Sequence, residues 1–352
     1  MPRITVQTAT DPAAWDAALQ TRRFSPFLQS WSMGQVYQDI GQEPIRLEAR
    51  SDTGIVGLCF GHVVPAKRGR HLSVPYGPLL DDPSALEPML SALRDAAVER
   101  RCAFIRLSPF IPAQDSLVSE LQRLSRPSPL HLLAEHLWYL PLWHQDLWTT
   151  ADASPAPVTE DLLLSGMRST ARNLIRRAAK EGVTVEASDD PVRDLPHFLA
   201  LHEETRKRHG FTPYTNAFFE AQVRRFAPAK QAILYLARYQ GEVIASSIHM
   251  HFGRETSYHH GASTQKYRNI PASYLLQWTA IRDALHRGDA VYNFWGVSPE
   301  GVEKHPFAGV RTFKTAFGGT ILELMHCADV PLTAHYHLTR AIETFRKWKR
   351  GF

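Results

Sequence analysis

Ile45-Arg-Leu-Glu-Ala-Arg50, the turn Ser51-Asp-Thr-Gly54 and Ile55-Val-Gly-Leu-Cys-Phe60 decide how this chain folds, because their layout returns later. The second copy reads Ile233-Leu-Tyr-Leu-Ala-Arg238, Tyr239-Gln-Gly241 and Val243-Ile-Ala-Ser-Ser-Ile248. Short apolar runs rich in β-branched residues, broken by turn residues, read as paired strands. The first hairpin is followed by a Pro/Gly break, a third strand near Leu72, a helix from Leu86 to Arg101, and Cys102-Ala-Phe-Ile-Arg-Leu-Ser-Pro109. The second is followed by a turn at Gly253, Ser257-Tyr-His-His260, a helix from Tyr274 to Arg287, and Ala290-Val-Tyr-Asn-Phe-Trp-Gly-Val-Ser-Pro299. Ile45 lies 64 positions before Pro109, and Ile233 lies 66 before Pro299. A strand–turn–strand–strand–helix–strand unit used twice points to duplication.

A length of 352 residues suits two domains with cores of their own. Hydrophobic residues at 44% and charged residues at 21% are ordinary for a globular protein. The three cysteines, Cys59, Cys102 and Cys327, are widely spaced and form no CxxC, so buried reduced thiols are expected. Met1-Pro-Arg-Ile-Thr-Val-Gln7 has no apolar leader core, and no run reaches the ~18 apolar residues of a spanning helix. A cytoplasmic location is expected. The net charge of +5 is concentrated in Arg168 to Lys180, Arg206 to His209 and Arg346 to Arg350, clusters that suit phosphates, RNA or anionic lipid.

Asp11-Pro12 opens a helix to Leu19, and Ser30-Trp31 opens another that ends near Gly41. Trp138 to Trp143 reads as a strand, and Thr149 to Pro157 as a linker. One continuous helix is expected from 160 to 181, stopping at Gly182, with Met167, Ala171, Leu174, Ile175 and Ala178 as its apolar stripe. Arg168, Arg172, Arg176 and Lys180 form a ridge beside that stripe, either a phosphate-facing rail or a solvated back. Further helices are expected over Leu195 to His209, Asn216 to Phe226 and Thr333 to Lys349. The last carries Leu338, Ile342, Phe345 and Trp348 among basic residues, to pack on the first domain or to make a peripheral membrane contact.

Among candidate ligands, His249-x-His251 and His259-His260 lack a neighbouring carboxylate or cysteine at metal spacing, so no metal is expected. Gly309-x-x-x-Phe313-Lys314-x-x-Phe317-Gly318-Gly319 offers one lysine between aromatics, either a fixed cation for a developing oxyanion or a snorkelling lysine.

The repeated unit resembles the core of the GNAT acyltransferase fold, which implies an α/β chain with mixed sheets and two tandem GNAT-like domains. Domain 1 is then expected over 1–148, completed by the helix 332–352, and domain 2 over 149–331. GNAT enzymes that bind coenzyme A carry R/Q-x-x-G-x-G/A before the helix. Here Arg268 fits, but Pro271 removes an N–H donor and Ser273 fills the last position, so a pantetheine cofactor is not expected.

Gln29-Ser-Trp31, Tyr76-Gly-Pro78, Met167 to Gly182, His202 to Gly210, Tyr258 to Ser263, Tyr274 to Trp278, Tyr292 to Gly296 and Phe313-Lys314 together resemble the FemABX family of non-ribosomal peptidyltransferases. The long coiled-coil insertion of its longer members is lacking. The resemblance implies transfer of an amino acid of glycine, alanine or serine type from aminoacyl-tRNA to the side-chain amine of the peptidoglycan stem peptide. The acceptor is then a peptidoglycan precursor, a lipid-linked or UDP-linked muropeptide, met in the cytoplasm or at the inner face of the plasma membrane. By position, Phe313 and Lys314 are the implied catalytic pair, with no cofactor. Tyr37, Tyr76, Arg106, Tyr214, Tyr258, His260, Asn293 and Trp295 are substrate-binding candidates. Arg168, Arg172, Arg176, Lys266 and Arg268 are candidates for tRNA. Tyr37 stands where UDP-muropeptide users carry a lysine, Tyr214 where they carry an arginine, His260 where they carry a tyrosine, and Ser108-Pro109 replaces an Asp-Pro. The alternative activity is an acyl-CoA-dependent N-acyltransferase of a small molecule or protein.

Overall fold

Alternation of apolar and polar residues over Pro44–Ser51 and a nearly continuous apolar run over Gly54–Val64 produce an antiparallel hairpin, as do Ala232–Tyr239 and Glu242–Phe252. The second hairpin turns on Gln240 and Gly241 with φ of 50° and 81°, the pair of left-handed residues that a tight two-residue β-turn requires. These elements belong to a computed structural model that describes residues 4–66, 69–150, 152–209, 214–302 and 307–350. Gly210, in one of the stretches that carry the family resemblance, lies outside them.

The chain divides into two units, Met1–Glu135 with Leu322–Phe352, and His136–Ile321. In the first, the strand order is Thr5–Thr8, Pro44–Ser51, Gly54–Val64, His71–Pro75, Phe104–Ser108, Ala328–Pro331, Arg126–Pro127, with Leu79–Leu80 beside Gly54–Val64. His71–Pro75 and Phe104–Ser108 run parallel over five pairs. A parallel pair needs a crossover, which the helix Leu86–Glu99 supplies. Its Leu86, Met89, Leu90, Leu93 and Ala97 recur at helical spacing and bury against Ile45, Leu47, Leu72 and Ile105. Gln29 is fully buried beyond that sheet, where its side chain donates to Phe60 O and accepts from Phe60 N–H. Ser30 caps the helix Trp31–Asp39 by accepting from Met33 N–H.

The second unit repeats the arrangement. Its order is Thr320–Glu323, His136–Pro141, Val291–Gly296, Glu255–Ser263, Glu242–Phe252, Ala232–Tyr239, Thr184–Ala187. The helix Ala272–Arg287 is the crossover and shares a core with Met167, Ala171, Ile175 and Ala178. The chain is thus two tandem GNAT-like domains.

Two boundaries differ from the sequence expectation. His136–Pro141 pairs antiparallel with Val291–Gly296, so 136–148 belongs to the second unit. Ala328–Pro331 pairs antiparallel with Phe104–Ser108, so 322–331 belongs to the first. The expected helix over 160–181 is two helices, Glu160–Gly166 and Ser169–Lys180, with Met167 and Arg168 extended between them. The Arg168 N–H bonds to Ala316 O instead of continuing a helix.

Arg106 ties the C-terminal elements to the first sheet. It donates to both oxygens of Asp329 at 2.8 and 3.0 Å and to both oxygens of Glu343 at 3.1 and 2.7 Å. Arg106 is 6% exposed and Asp329 0%. Removing one member of a buried ion network leaves its partners charged and unsolvated, at a cost of about 3–5 kcal/mol. Arg106→Met is therefore expected to lower the unfolding free energy by about 3–5 kcal/mol in urea titration; an unchanged midpoint would contradict this role.

Candidate active site

In the second unit the parallel strands stay paired for only three positions: Glu255 with Val291, Thr256 with Tyr292 and Ser257 with Asn293. Beyond Asn293 the chain turns away. The Asn293 side-chain oxygen accepts the Trp295 N–H at 2.8 Å, and Trp295 adopts φ 67°, uncommon for a bulky residue. That N–H is satisfied by a side chain instead of a neighbouring strand. Asn293 is fully buried and donates to Glu255 Oε1 at 2.9 Å. Burial, reinforced by the charge of Asp289, raises the Glu255 carboxyl to about 7 against the hydrogen bonds from Ser257 and Asn293.

Where the strands part, a cleft of about 540 Å³ opens. Tyr258 and His260 line it from the strand, His202 from the helix Pro191–His209, and Phe313 and Lys314 from the helix Ala308–Thr315. Lys314 is only 7% exposed. Its Nζ donates to Gly296 O at 2.7 Å and lies 5.6 Å from the centre of the Tyr258 ring. Desolvation lowers its pKa from 10.5 to about 7. Two glycine features make this placement possible. A Cβ at Gly261 would collide with the Tyr258 ring and hydroxyl, and one at Gly319, whose φ is 94°, would collide with Tyr139 O. Phe313 packs edge-on against Tyr274 and Phe317, with centroids 5.0 and 5.4 Å apart.

His260 meets the edges of Phe219 and Tyr214 at 4.8 and 5.6 Å. Its Nε2 is buried without a hydrogen-bond partner, and desolvation first, then His259 and His202, hold its pKa well below 6.5. Tyr214 is 41% exposed and stacks on Phe218 beside the cleft. Trp295 lies behind it, edge-on to His259 at 5.0 Å. His249 is fully buried, bonded to the Tyr292 hydroxyl at 2.7 Å, and held near 3 by desolvation.

A groove of about 240 Å³ adjoins the cleft and shares Ser263, Ser273 and Phe313 with it. Arg268 lines this groove. Pro271 is the N-cap of Ala272–Arg287 and brings no N–H. The Ala272 N–H bonds to Ile270 O at 2.9 Å and the Tyr274 N–H to Pro271 O at 3.0 Å, so donors that would meet a pyrophosphate are used locally.

The structure brings Tyr258, His260, Phe313 and Lys314 to one cleft, with Tyr214 and Trp295 beside it, and employs several other candidates elsewhere. Asn293 is a buried strut. Tyr76 is fully buried and donates its hydroxyl to Ala134 O at 2.9 Å. Tyr37 is 8% exposed and stacked on His62 at 3.6 Å. Arg106 is saturated by two carboxylates. None of these three substrate-binding candidates lines the first-unit cavity of about 210 Å³ whose wall includes Arg22, Asp81 and Phe110. Arg172 donates to Leu164 O and Met167 O and so caps the preceding helix. Lys266 is paired with Glu242 at 2.6 Å. Arg168 and Arg176 are exposed. Glu255, His202 and Tyr274 were not among the site residues named from the sequence, although His202 and Tyr274 open stretches that carry the resemblance, since only the fold brings them near Lys314 or its supports.

Among the described residues, His131, Glu135 and His326 place ligand atoms within 4.8 Å of one another. His326, however, bonds Glu135 through one nitrogen and Ser128 O through the other, at 2.9 Å each. Glu135 foremost raises the His326 pKa, and hydrogen bonds from His131 and His326 help hold Glu135 near 2 despite its burial, which describes a charged pair.

Residues 165–307 match the Acetyltransferase (GNAT) domain family. The crystal structure of FemX superposes with a TM-score of 0.80 at 17% identity, covering 96% of this chain and 99% of FemX. Aminoacyltransferase FemA of Staphylococcus epidermidis is 30% identical over 94 residues, and FemA of Staphylococcus aureus 38% identical over 69. The chain is thus similar to FemA in part of its sequence and to FemX in fold. These sequence matches cover 26% and 20% of this chain but only 22% and 16% of the two FemA proteins. A tandem GNAT protein from the clavulanic acid pathway shares the fold at TM-score 0.51 and 13% identity over 94% of this chain and 98% of its own.

Burial sets a sign for the pH dependence of stability. The folded-state pKa of Lys314 lies below its unfolded value, so the penalty of a buried charge is complete below about 7 and is relieved as pH rises toward 10.5. Lys314→Met is expected to gain stability relative to the wild-type chain as pH falls from about 10 to about 6, measured by urea unfolding. A pH-independent difference would show that the amine is not desolvated.

Proposed function

We propose that this chain is an aminoacyltransferase that moves an amino acid of glycine, alanine or serine type from aminoacyl-tRNA to the side-chain amine of a peptidoglycan stem peptide. The observation that carries the reading is the Lys314 amine, buried on the cleft wall beside Phe313 and tuned to about 7. An acceptor ammonium with a pKa near 10.4 is unreactive until it loses a proton. Neutral Lys314 accepts that proton, and the freed amine attacks the ester carbonyl of the aminoacyl group. The resulting Lys314 ammonium then faces the oxyanion of the tetrahedral intermediate. When the bond to the ribose oxygen breaks, Lys314 returns its proton to that oxygen, and the new amide nitrogen releases its second proton to water. Lysine retains donors beyond the one given to Gly296 O, so it performs both steps without losing its anchor.

The expected result is a kcat/KM that rises with pH through about 7, and a loss of roughly 10²–10⁴-fold in Lys314→Met with purified aminoacyl-tRNA and muropeptide. Unaltered turnover in that variant would end the assignment, and a profile that falls through the same pH would make Lys314 a standing cation.

The donor reading is supported by Arg168 at the start of the helix Ser169–Lys180 and Arg176 on it, both exposed, by Arg268 in the adjoining groove, and by the local use of the pyrophosphate donors. tRNA affinity is expected to fall roughly tenfold or more between 50 and 200 mM salt, with a shallower slope in Arg168→Ala/Arg176→Ala/Arg268→Ala. A salt-independent affinity would count against nucleic acid. Coenzyme A is expected to give no heat in calorimetry, and tight binding would favour the acyl-CoA alternative.

A further inference from the structure

The helix His335–Arg350 is attached to its unit along one side. Tyr336 is fully buried, Thr339 is 5% exposed, Glu343 pairs with Arg106 at 2.7 Å, and Arg340 donates to Pro127 O at 2.6 Å. At about 100° per residue these positions share one face, and Leu338, Phe345 and Trp348 fall on the opposite one. There they are 57%, 61% and 79% exposed, with the Phe345 and Trp348 rings 5.9 Å apart. Arg346 and Lys349 flank them, exposed, and Lys347 is half-buried. The helix's one acidic residue, Glu343, is turned inward and neutralised by Arg106.

The fold does not cover this stripe, since its own core uses the other face. Contiguous exposed Leu, Phe and Trp mark an interaction surface more often than a solvated one. A second copy of the chain, itself of net charge +5, would bring the same cations into the same contact. An anionic bilayer surface matches both components: apolar side chains enter the headgroup boundary while Lys and Arg meet lipid phosphates. We propose that the exposed face of His335–Arg350 lies on an anionic lipid surface, with Leu338, Phe345 and Trp348 inserted and Arg346 and Lys349 on phosphates. Among the described residues no helix is long and apolar enough to cross a membrane, so the contact is peripheral. The inference is independent of the Lys314 chemistry.

The full chain is tested by co-sedimentation with phosphatidylglycerol/phosphatidylcholine vesicles against phosphatidylcholine alone. Binding to the anionic vesicles is expected to be at least tenfold stronger, to be abolished in Leu338→Glu/Phe345→Glu/Trp348→Glu, and to weaken roughly fivefold per charge in Arg346→Glu and Lys349→Glu. All three apolar side chains are exposed, so circular dichroism of the triple variant should match the wild-type chain. Brominated lipid is expected to quench fluorescence that Trp348→Phe lacks. Absence of binding to anionic vesicles at low salt, or undiminished binding by the triple variant, overturns the proposal. So does a concentration-dependent dimer in sedimentation velocity that the triple variant abolishes without vesicle binding, which would assign the face to a second copy.

Discussion

The cleft exists because a parallel ladder stops early. In the first unit the parallel strands stay together for five pairs, in the second for three. The difference lies in Asn293, whose side chain takes the Trp295 N–H and lets the backbone part from Glu255–Ser263 through a left-handed residue while it stays paired with His136–Pro141. A buried polar side chain is tolerated there because every group it offers is bonded. From that departure follow the open wall formed by Tyr258 and His260 and the Gly296 carbonyl that anchors Lys314.

The same arrangement sets the electrostatics. A lysine amine shielded from water and held by a neutral carbonyl loses much of its preference for the charged form. Glu255, three hydrogen bonds away through Asn293, the Trp295 backbone and Gly296 O, is also driven toward neutrality by burial. Two groups that are normally charged at neutral pH are thus brought close to their titration midpoints in one part of the fold, a pattern associated with sites of chemistry.

The first unit spends its buried charges differently. Arg106 is so well matched by Asp329 and Glu343 that its role is to fasten a distant strand and helix to the sheet. Fastening one face of that helix fixes which residues remain outside, and so determines the apolar and basic surface of its other side.

Reading residues in order was enough to find the duplicated unit, since Ile45 to Phe60 and Ile233 to Ile248 announce their hairpins by local pattern and turn chemistry. Asp11 and Ser30 announced their helices as caps for the same local reason. Phe313-Lys314 and the obstructed loop at Pro271 were also legible, one by resemblance and one because proline lacks an N–H. What needed the tertiary structure was everything governed by burial. Tyr76, Arg106 and Asn293 read as binding residues until their partners, 58, 223 and 38 positions away, were in place. The lowered pKa of Lys314 and the two faces of the last helix likewise depend on which atoms exclude water, and desolvation is a property of packed surroundings that no contiguous stretch of sequence contains.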